Sequence, residues 1–151
     1  MRVWNLMIPA AAVLALALAV PYRAAADVPV GAEAIKTHLE FLGYSVTITA
    51  TQINSKHPTK FDFSLTKFKG GVLLRAFLQI KKTDRLRTLE MVNTLNADAA
   101  LVRAYIDGDG DLCYEAWTQA YEKQSFADLM SAWEADVAEM TRKYRQESAK
   151  W

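Results

Sequence analysis

The sequence predicts an α+β domain in which helices pack on an antiparallel sheet of about five strands, in the order α-β-β-β-α-β-β-α. Two alternating apolar and polar hairpin sequences, each with a glycine-containing turn, predict most of the sheet. Three further segments repeat apolar residues at the spacing of amphipathic helices. The strands are close in sequence and can pair antiparallel with their neighbours, which favours this class over a parallel sheet.

The first 26 residues predict a secretory signal peptide that is cut before Asp27. Arg2 gives a positive start, an apolar run of about 15 residues follows, and Ala24 to Ala26 supply the small residues of a cleavage site. An uncleaved anchor is the alternative, but the run is shorter than the roughly 20 residues that span a bilayer. We therefore expect a periplasmic or secreted protein with a single domain at residues 27–151 and no stable membrane insertion after cleavage.

Charge and cysteine content narrow the function classes. The chain has 18 basic and 17 acidic residues, and loss of Arg2 and Arg23 with the signal peptide leaves a net charge of −1. This balance argues against a nucleic-acid-binding protein, which normally has a basic excess. Cys113 is the only cysteine, so no intramolecular disulfide can form, and we expect a buried thiol in preference to an intermolecular bond.

The N-terminal part of the domain predicts one helix and one strand. Ile35 and Leu39 lie on one helical face, and Gly43 is suited to the C-terminal cap. Residues 44–51 alternate apolar and polar side chains with many β-branched residues, which predicts a half-buried strand. Residues 52–60 are polar and predict a connection.

The next hairpin has the same predicted register for two turn geometries. A two-residue turn at Lys69-Gly70 and a loop widened by one residue on each side both pair Leu65 with Leu74. Either geometry places the apolar residues of both strands on one face.

Two further helices have apolar stripes and predicted N-terminal caps. Thr83 or Asp84 is expected to cap the second helix, and Ser125 with Asp128 resembles a capping box that opens the third. The stripe of the second helix is Leu86, Leu89, Met91, Val92 and Leu95. The stripe of the third is Phe126, Leu129, Met130, Trp133, Val137, Met140 and Tyr144.

The central hairpin, residues 99–121, turns at an Asp-Gly-Asp-Gly-Asp sequence. A three-residue loop, residues 108–110, sets Ile106 opposite Leu112 and Arg103 opposite Glu115. This register gives one apolar face and one favourable charge pair.

The order of these elements resembles the YbjN-like family of bacterial proteins, described as candidate sensory transduction regulators. The resemblance rests on LGY at residues 42–44, FSLTKF, VNTLNAD, LVRAYID, DLCYEAW and the closing helix. It implies a fold similar to the small chaperones that escort type III secretion effectors, which are commonly dimers. It also implies a binding role and supplies no catalytic residue. Many family members have no export signal, so a cytoplasmic regulatory role does not follow for this chain.

Asp107, Asp109 and Asp111 alternate as the oxygen ligands of a calcium loop do. An EF-hand would need glycine at its sixth position and glutamate at its twelfth, where the chain has Leu112 and Thr118. A solvated turn is the favoured interpretation, and a calcium-binding module is the alternative function.

No catalytic set is recognisable. His38 and His57 are the only histidines, and neither adjoins a nucleophile motif. We therefore predict no enzyme activity and no cofactor.

The second face of the predicted sheet is the most informative feature for function. A face in contact with water should be mainly polar, yet this one is about half apolar. Either a helix of the chain covers it, or it is a surface for a protein or peptide partner or a second copy of the chain. The candidate binding residues are Leu101, Arg103, Tyr105, Trp117 and Phe77. The predicted function is that of a non-enzymatic exported binding or accessory protein, chaperone-like or regulatory through protein contacts.

Overall fold

The computed structural model describes residues 28–80 and 84–150. In these ranges the chain forms three helices and one antiparallel sheet with the strand order β1-β2-β3-β4-β6-β5. In chain order the elements are α1 (Ala32–Phe41), β1 (Ser45–Ile48), β2 (Ile53–Lys56), β3 (Phe63–Phe68), β4 (Gly71–Leu78), α2 (Arg85–Ala97), β5 (Arg103–Ile106), β6 (Leu112–Thr118) and α3 (Lys123–Ser148). The predicted signal peptide and Thr83 lie outside the described residues.

The α+β class is confirmed, but the sheet has six strands in the described ranges rather than about five. The residues predicted as one strand and a polar connection form the hairpin β1-β2. Thr49 closes its turn, because its amide donates to the Gln52 carbonyl at 2.9 Å and its hydroxyl oxygen accepts from the Gln52 amide at 3.2 Å. Strand β2 was missed because only Ile53 among its four residues is apolar.

The predicted hairpin registers are confirmed. Lys69 and Gly70 form the two-residue turn with φ of 47° and 80°, which suits the twist of the flanking strands, and Leu65 pairs with Leu74. In the central hairpin Arg103 pairs with Glu115 and Ile106 with Leu112. Hydrophobic alternation was therefore sufficient to set both registers.

The helices cover one face of the sheet and form the core with it. All seven residues of the predicted α3 stripe are buried. In α2 the stripe is narrower than predicted, since Met91, Val92 and Leu95 are buried while Leu86 and Leu89 are exposed. The sheet contributes Leu65, Val72, Leu74, Ala76, Ala104, Leu112, Tyr114 and Ala116 to this core.

The caps of α2 and α3 differ in how well the sequence predicted them. Asp84, one of the two candidates, caps α2 by accepting from the Leu86 amide at 3.1 Å. The capping box predicted for α3 is wrong, because the helix begins two residues before Ser125. Glu122 caps it instead and accepts from the amides of Gln124 and Ser125 at 3.1 and 2.8 Å.

The helices also protect the β5 edge of the sheet. The Asn96 side chain accepts from the Ala104 amide at 2.7 Å and donates to the Ala104 carbonyl at 3.0 Å. The Asp136 carboxylate accepts from the amides of Leu101 and Val102 at 2.7 and 2.9 Å. These contacts occupy backbone groups that an edge strand would otherwise offer to another chain. None of the helices in the described ranges is long and apolar enough to cross a membrane.

Candidate functional site

The open face is the side of strands β4, β6 and β5 that points away from the helices. The core that includes the helices contains neither Leu73 nor Cys113, which belong to this opposite side. The strand registers arrange the open face in three rows: Leu73 opposite Trp117; Arg75, Glu115 and Arg103; and Phe77, Cys113 and Tyr105. A charged row therefore lies between two largely apolar rows.

The charged row is centred on Glu115. Arg75 Nε donates to Glu115 Oε2 at 3.1 Å, and Arg103 Nη2 donates to Oε1 at 2.7 Å. Tyr105 adds a third donor, its hydroxyl at 3.2 Å from Oε2. The Glu115 side chain is only 15% exposed, so these charge-assisted bonds compensate for its partial burial. The arrangement fixes the orientation of both arginine side chains.

Tyr105 and Cys113 lie side by side in the third row. Burial is the main cause that raises the pKa of the Tyr105 hydroxyl, so the hydroxyl stays protonated and remains a donor. Burial also raises the pKa of the Cys113 thiol, and the residue is fully buried. The thiol is therefore a small packed group and not a poised nucleophile.

Trp117 covers the other end of the open face. Its Nε1 donates to the Phe68 carbonyl at 3.0 Å. A Cβ atom on Gly71 would lie 2.8 Å from the indole and 2.1 Å from the Thr118 carbonyl oxygen, so only glycine fits beneath the ring. Leu73, opposite Trp117 in the same row, is almost fully buried.

The apolar side chains of the open face remain accessible. Trp117 is 44% exposed, Phe77 52% and Leu101 37%. None of the three belongs to the core cluster that the helices form with the sheet. Leu73 and Cys113 on the same face are buried, so the open face is accessible at its aromatic side chains and closed between them.

The structure brings some of the predicted binding residues together and separates others. Arg103 and Tyr105 meet at Glu115, and the Arg103 guanidinium lies 5.4 Å from the centre of the Tyr105 ring. Phe77 neighbours Tyr105 across Cys113. Trp117 lies in the opposite outer row, four residues from Cys113 along β6.

Leu101 and Gly71 complete the site at its margins. Leu101 precedes β5, and its amide is bound by Asp136 of α3. The role of Gly71 was not recognised from the sequence. The sequence did contain a signal for it: the two-residue turn at Lys69-Gly70 accounts for Gly70 but gives no reason for a second glycine at position 71.

The aspartate turn is organised by Asp107 itself. Its Oδ1 accepts from the amides of Asp109 and Asp111 at 3.0 and 2.9 Å, a pattern typical of aspartate in turns. Within residues 28–80 and 84–150, no three acidic, histidine or cysteine side chains are grouped so that they could hold a metal ion. The three carboxylates thus do not converge as the calcium alternative requires.

Both histidines have structural contacts. The His38 ring packs edge-on against Phe126 with centroids 5.3 Å apart, and burial, with a smaller effect of Lys123, lowers its pKa. The His57 Nδ1 accepts from the amides of Thr59 and Lys60, each at 3.1 Å. These bonds shape the loop that leads into β3.

Comparison with known proteins identifies the fold. No family model and no curated protein sequence matches the chain. Among solved structures, YbjN from E. coli, described as a candidate transcription regulator, is similar with a TM-score of 0.59 and 16% identity over 72% of this chain and 86% of that chain. A chain of the heterodimeric ExoU-SpcU complex, from the type III secretion system of Pseudomonas aeruginosa, is similar with a TM-score of 0.54 and 14% identity over 72% of this chain and 96% of that chain. The fold is therefore YbjN-like and chaperone-like, as the sequence resemblance predicted.

Proposed function

We propose that this protein is a non-enzymatic exported binding protein, chaperone-like or regulatory, that contacts a partner protein through the open face. The observation that carries the proposal is the exposure of Trp117 and Phe77 on the sheet face opposite the helical core. Aromatic and arginine side chains are enriched in protein interfaces, and buried tryptophans there commonly contribute most of the binding energy.

The order of the rows also suits a protein partner. Arg75, Glu115 and Arg103 are already bonded to one another, so a partner meets side chains whose conformations are largely fixed. Fixed side chains lose less conformational entropy on binding. The apolar rows on either side can bury surface while the charged row sets the orientation of the partner.

The structural neighbours support a binding role. One of them is part of a heterodimer, which is an assembly of this fold with a different protein. The other is described as a candidate regulator. A second copy of this chain is the alternative occupant of the open face, and a homodimer would place the two copies of Trp117 in or near one interface.

The first test isolates complexes of the tagged protein from the periplasmic fraction. We expect a defined partner to copurify with the unchanged chain and to be lost with Phe77→Ser. Leu86→Ser is the matched control, because Leu86 is also an exposed apolar residue but lies on α2. Equal loss with both variants, or a partner that both retain, would contradict the assignment of the open face.

Export has its own test. Intact-mass measurement of protein from the periplasmic fraction should give a chain that begins at Asp27. A membrane-bound species that retains residues 1–26 would contradict cleavage, and it would leave the role of the open face to be decided by the copurification result.

A further inference from the structure

A groove of about 600 Å³ lies on the helical side of the domain, away from the open face. Helix α3 forms one wall, and Tyr44 with residues 59–61 forms the other. Trp133 and Val137 are buried at its floor, while Ala138 is exposed and leaves room for close approach to the helix. Phe61 is half-buried and packs edge-on against Tyr114 with centroids 5.9 Å apart.

At one end of the groove the charged side chains are paired with each other. The Glu134 carboxylate accepts from Lys60 Nζ at 2.8 and 2.9 Å and from the Tyr44 hydroxyl at 3.0 Å. Burial, and after it the hydrogen bond to Glu134, raises the pKa of Tyr44, so its hydroxyl remains a donor. This end therefore offers no free charge to a ligand.

The other end is cationic. Arg142 lines it and is paired with Glu139 at 2.6 Å, but Arg145 has no acidic partner in the part of the chain that the structure describes. Lys60 is paired with Glu134 and Arg142 with Glu139, so Arg145 leaves the groove with a net excess of one positive charge. A ligand that fits would place a carboxylate at Arg145 and apolar groups over Phe61 and Val137.

The dimensions favour an extended peptide over an enclosed small molecule. Arg145 lies eleven positions after Glu134 in α3, which corresponds to about 16 Å along the helix and accommodates about five extended residues. Small-molecule sites usually bury most of the ligand surface. Here Lys60, Ala138, Arg142 and Arg145 are all exposed along the groove, so one side of any occupant would face solvent.

We infer that this groove binds an extended acidic segment of a partner protein, in which apolar side chains precede a carboxylate that pairs with Arg145. This site goes beyond the proposed role of the open face, because it lies on the opposite side of the sheet and uses different residues. A partner that contacted both sites would be held on two sides of the domain.

The test is titration of the isotopically labelled protein with a defined peptide, followed by NMR. The peptide has leucines at alternate positions and two aspartates at one end. We expect shifts of the amide signals of Phe61, Ala138 and Arg145, and a loss of affinity of about tenfold or more with Arg145→Glu, the size expected for one charge-assisted bond. Two control peptides, with lysines for the aspartates or serines for the leucines, should bind more weakly by a similar factor.

Two further variants keep the test decisive. Ala138→Phe fills the groove without changing its charge and should abolish the shifts. Arg87→Glu makes the same charge change at an exposed arginine of α2 and should leave the affinity unchanged. Absence of shifts at millimolar peptide, or equal weakening by Arg87→Glu and Arg145→Glu, would overturn the proposal, and neither result bears on the open face.

Discussion

Strand β6 places two aromatic residues in opposite environments. Tyr114 points to the helices, is fully buried, and its hydroxyl accepts from the Thr141 hydroxyl at 3.3 Å. Trp117, three residues later, lies on the open face and is nearly half exposed. The same alternation therefore supplies a core on one side and an accessible aromatic surface on the other. The difference shows that the open face is not a solvated sheet face of ordinary composition.

The largest difference in stability between the two faces should appear when a leucine of each face is replaced by alanine. Leu74 is fully buried against the helices, so Leu74→Ala should lower the free energy of unfolding by about 2 to 5 kcal/mol. Leu73→Ala should cost about 1 to 2 kcal/mol, because Leu73 lies beside the half-exposed Trp117 on the open face and water can reach the space left by the removed atoms. Urea denaturation of both variants measures the contrast, and equal losses would show that the open face is packed like the core.

Gly71 tests how the open face is built. Gly71→Ala should destabilise the protein by about 1 to 3 kcal/mol, because the new Cβ meets a backbone carbonyl at 2.1 Å that cannot move independently. Gly108→Ala is the matched control: it has nothing within 4 Å of the new atom, and its effect should stay within about 0.5 kcal/mol. Thermal unfolding checks both, and a neutral Gly71→Ala would mean that neither the Thr118 carbonyl nor the indole approaches Gly71 this closely.

The loss of Trp117 should be smaller than that of a core aromatic residue. Trp117→Ala removes one hydrogen bond and a half-exposed ring, so we expect the free energy of unfolding to fall by about 1 to 2 kcal/mol. We also expect weaker association of the chain with a second copy of itself, if a second copy occupies the open face. Denaturation curves and sedimentation over a concentration series give the two quantities. A loss of about 3 to 5 kcal/mol with unchanged association would identify Trp117 as a structural residue only.

The smallest expected effect is that of calcium. Millimolar calcium should leave the melting temperature unchanged, because Asp107 is committed to the backbone of its turn. Calcium at about 100 times its dissociation constant would stabilise the fold by roughly 2.7 kcal/mol. A clear rise in melting temperature that the triple change Asp107→Asn, Asp109→Asn and Asp111→Asn removes would restore the calcium alternative.

The sequence was most informative where side-chain alternation was strong. The registers of both predicted hairpins follow from which pairing places apolar residues together, as Leu65 with Leu74 shows. Strand β2 could not be recognised, because a four-residue strand with one apolar residue has the composition of a loop. The cap at Glu122 was missed because glutamate is not among the favoured capping residues.

The open face and the groove also differ in how far the sequence could predict them. The open face could be predicted, because its residues alternate along neighbouring strands of known register. The groove could not, because Lys60 and Phe61 meet α3 only through tertiary packing across more than 70 residues of sequence, as the Lys60 to Glu134 contact shows. Exposed residues of an amphipathic helix, such as Arg145, carry no sequence signal that distinguishes a ligand contact from a solvated side chain.

Photo-crosslinking in living cells tests the central claim most directly. The photoreactive residue p-benzoylphenylalanine is placed at position 77 on the open face or at position 86 on α2, which replaces an exposed apolar residue in each case. We expect a covalent adduct of defined mass from position 77, either with another protein or with a second copy of the chain, and none from position 86. The absence of an adduct at position 77, or the same adduct from both positions, would contradict the assignment of the open face as a protein-binding surface.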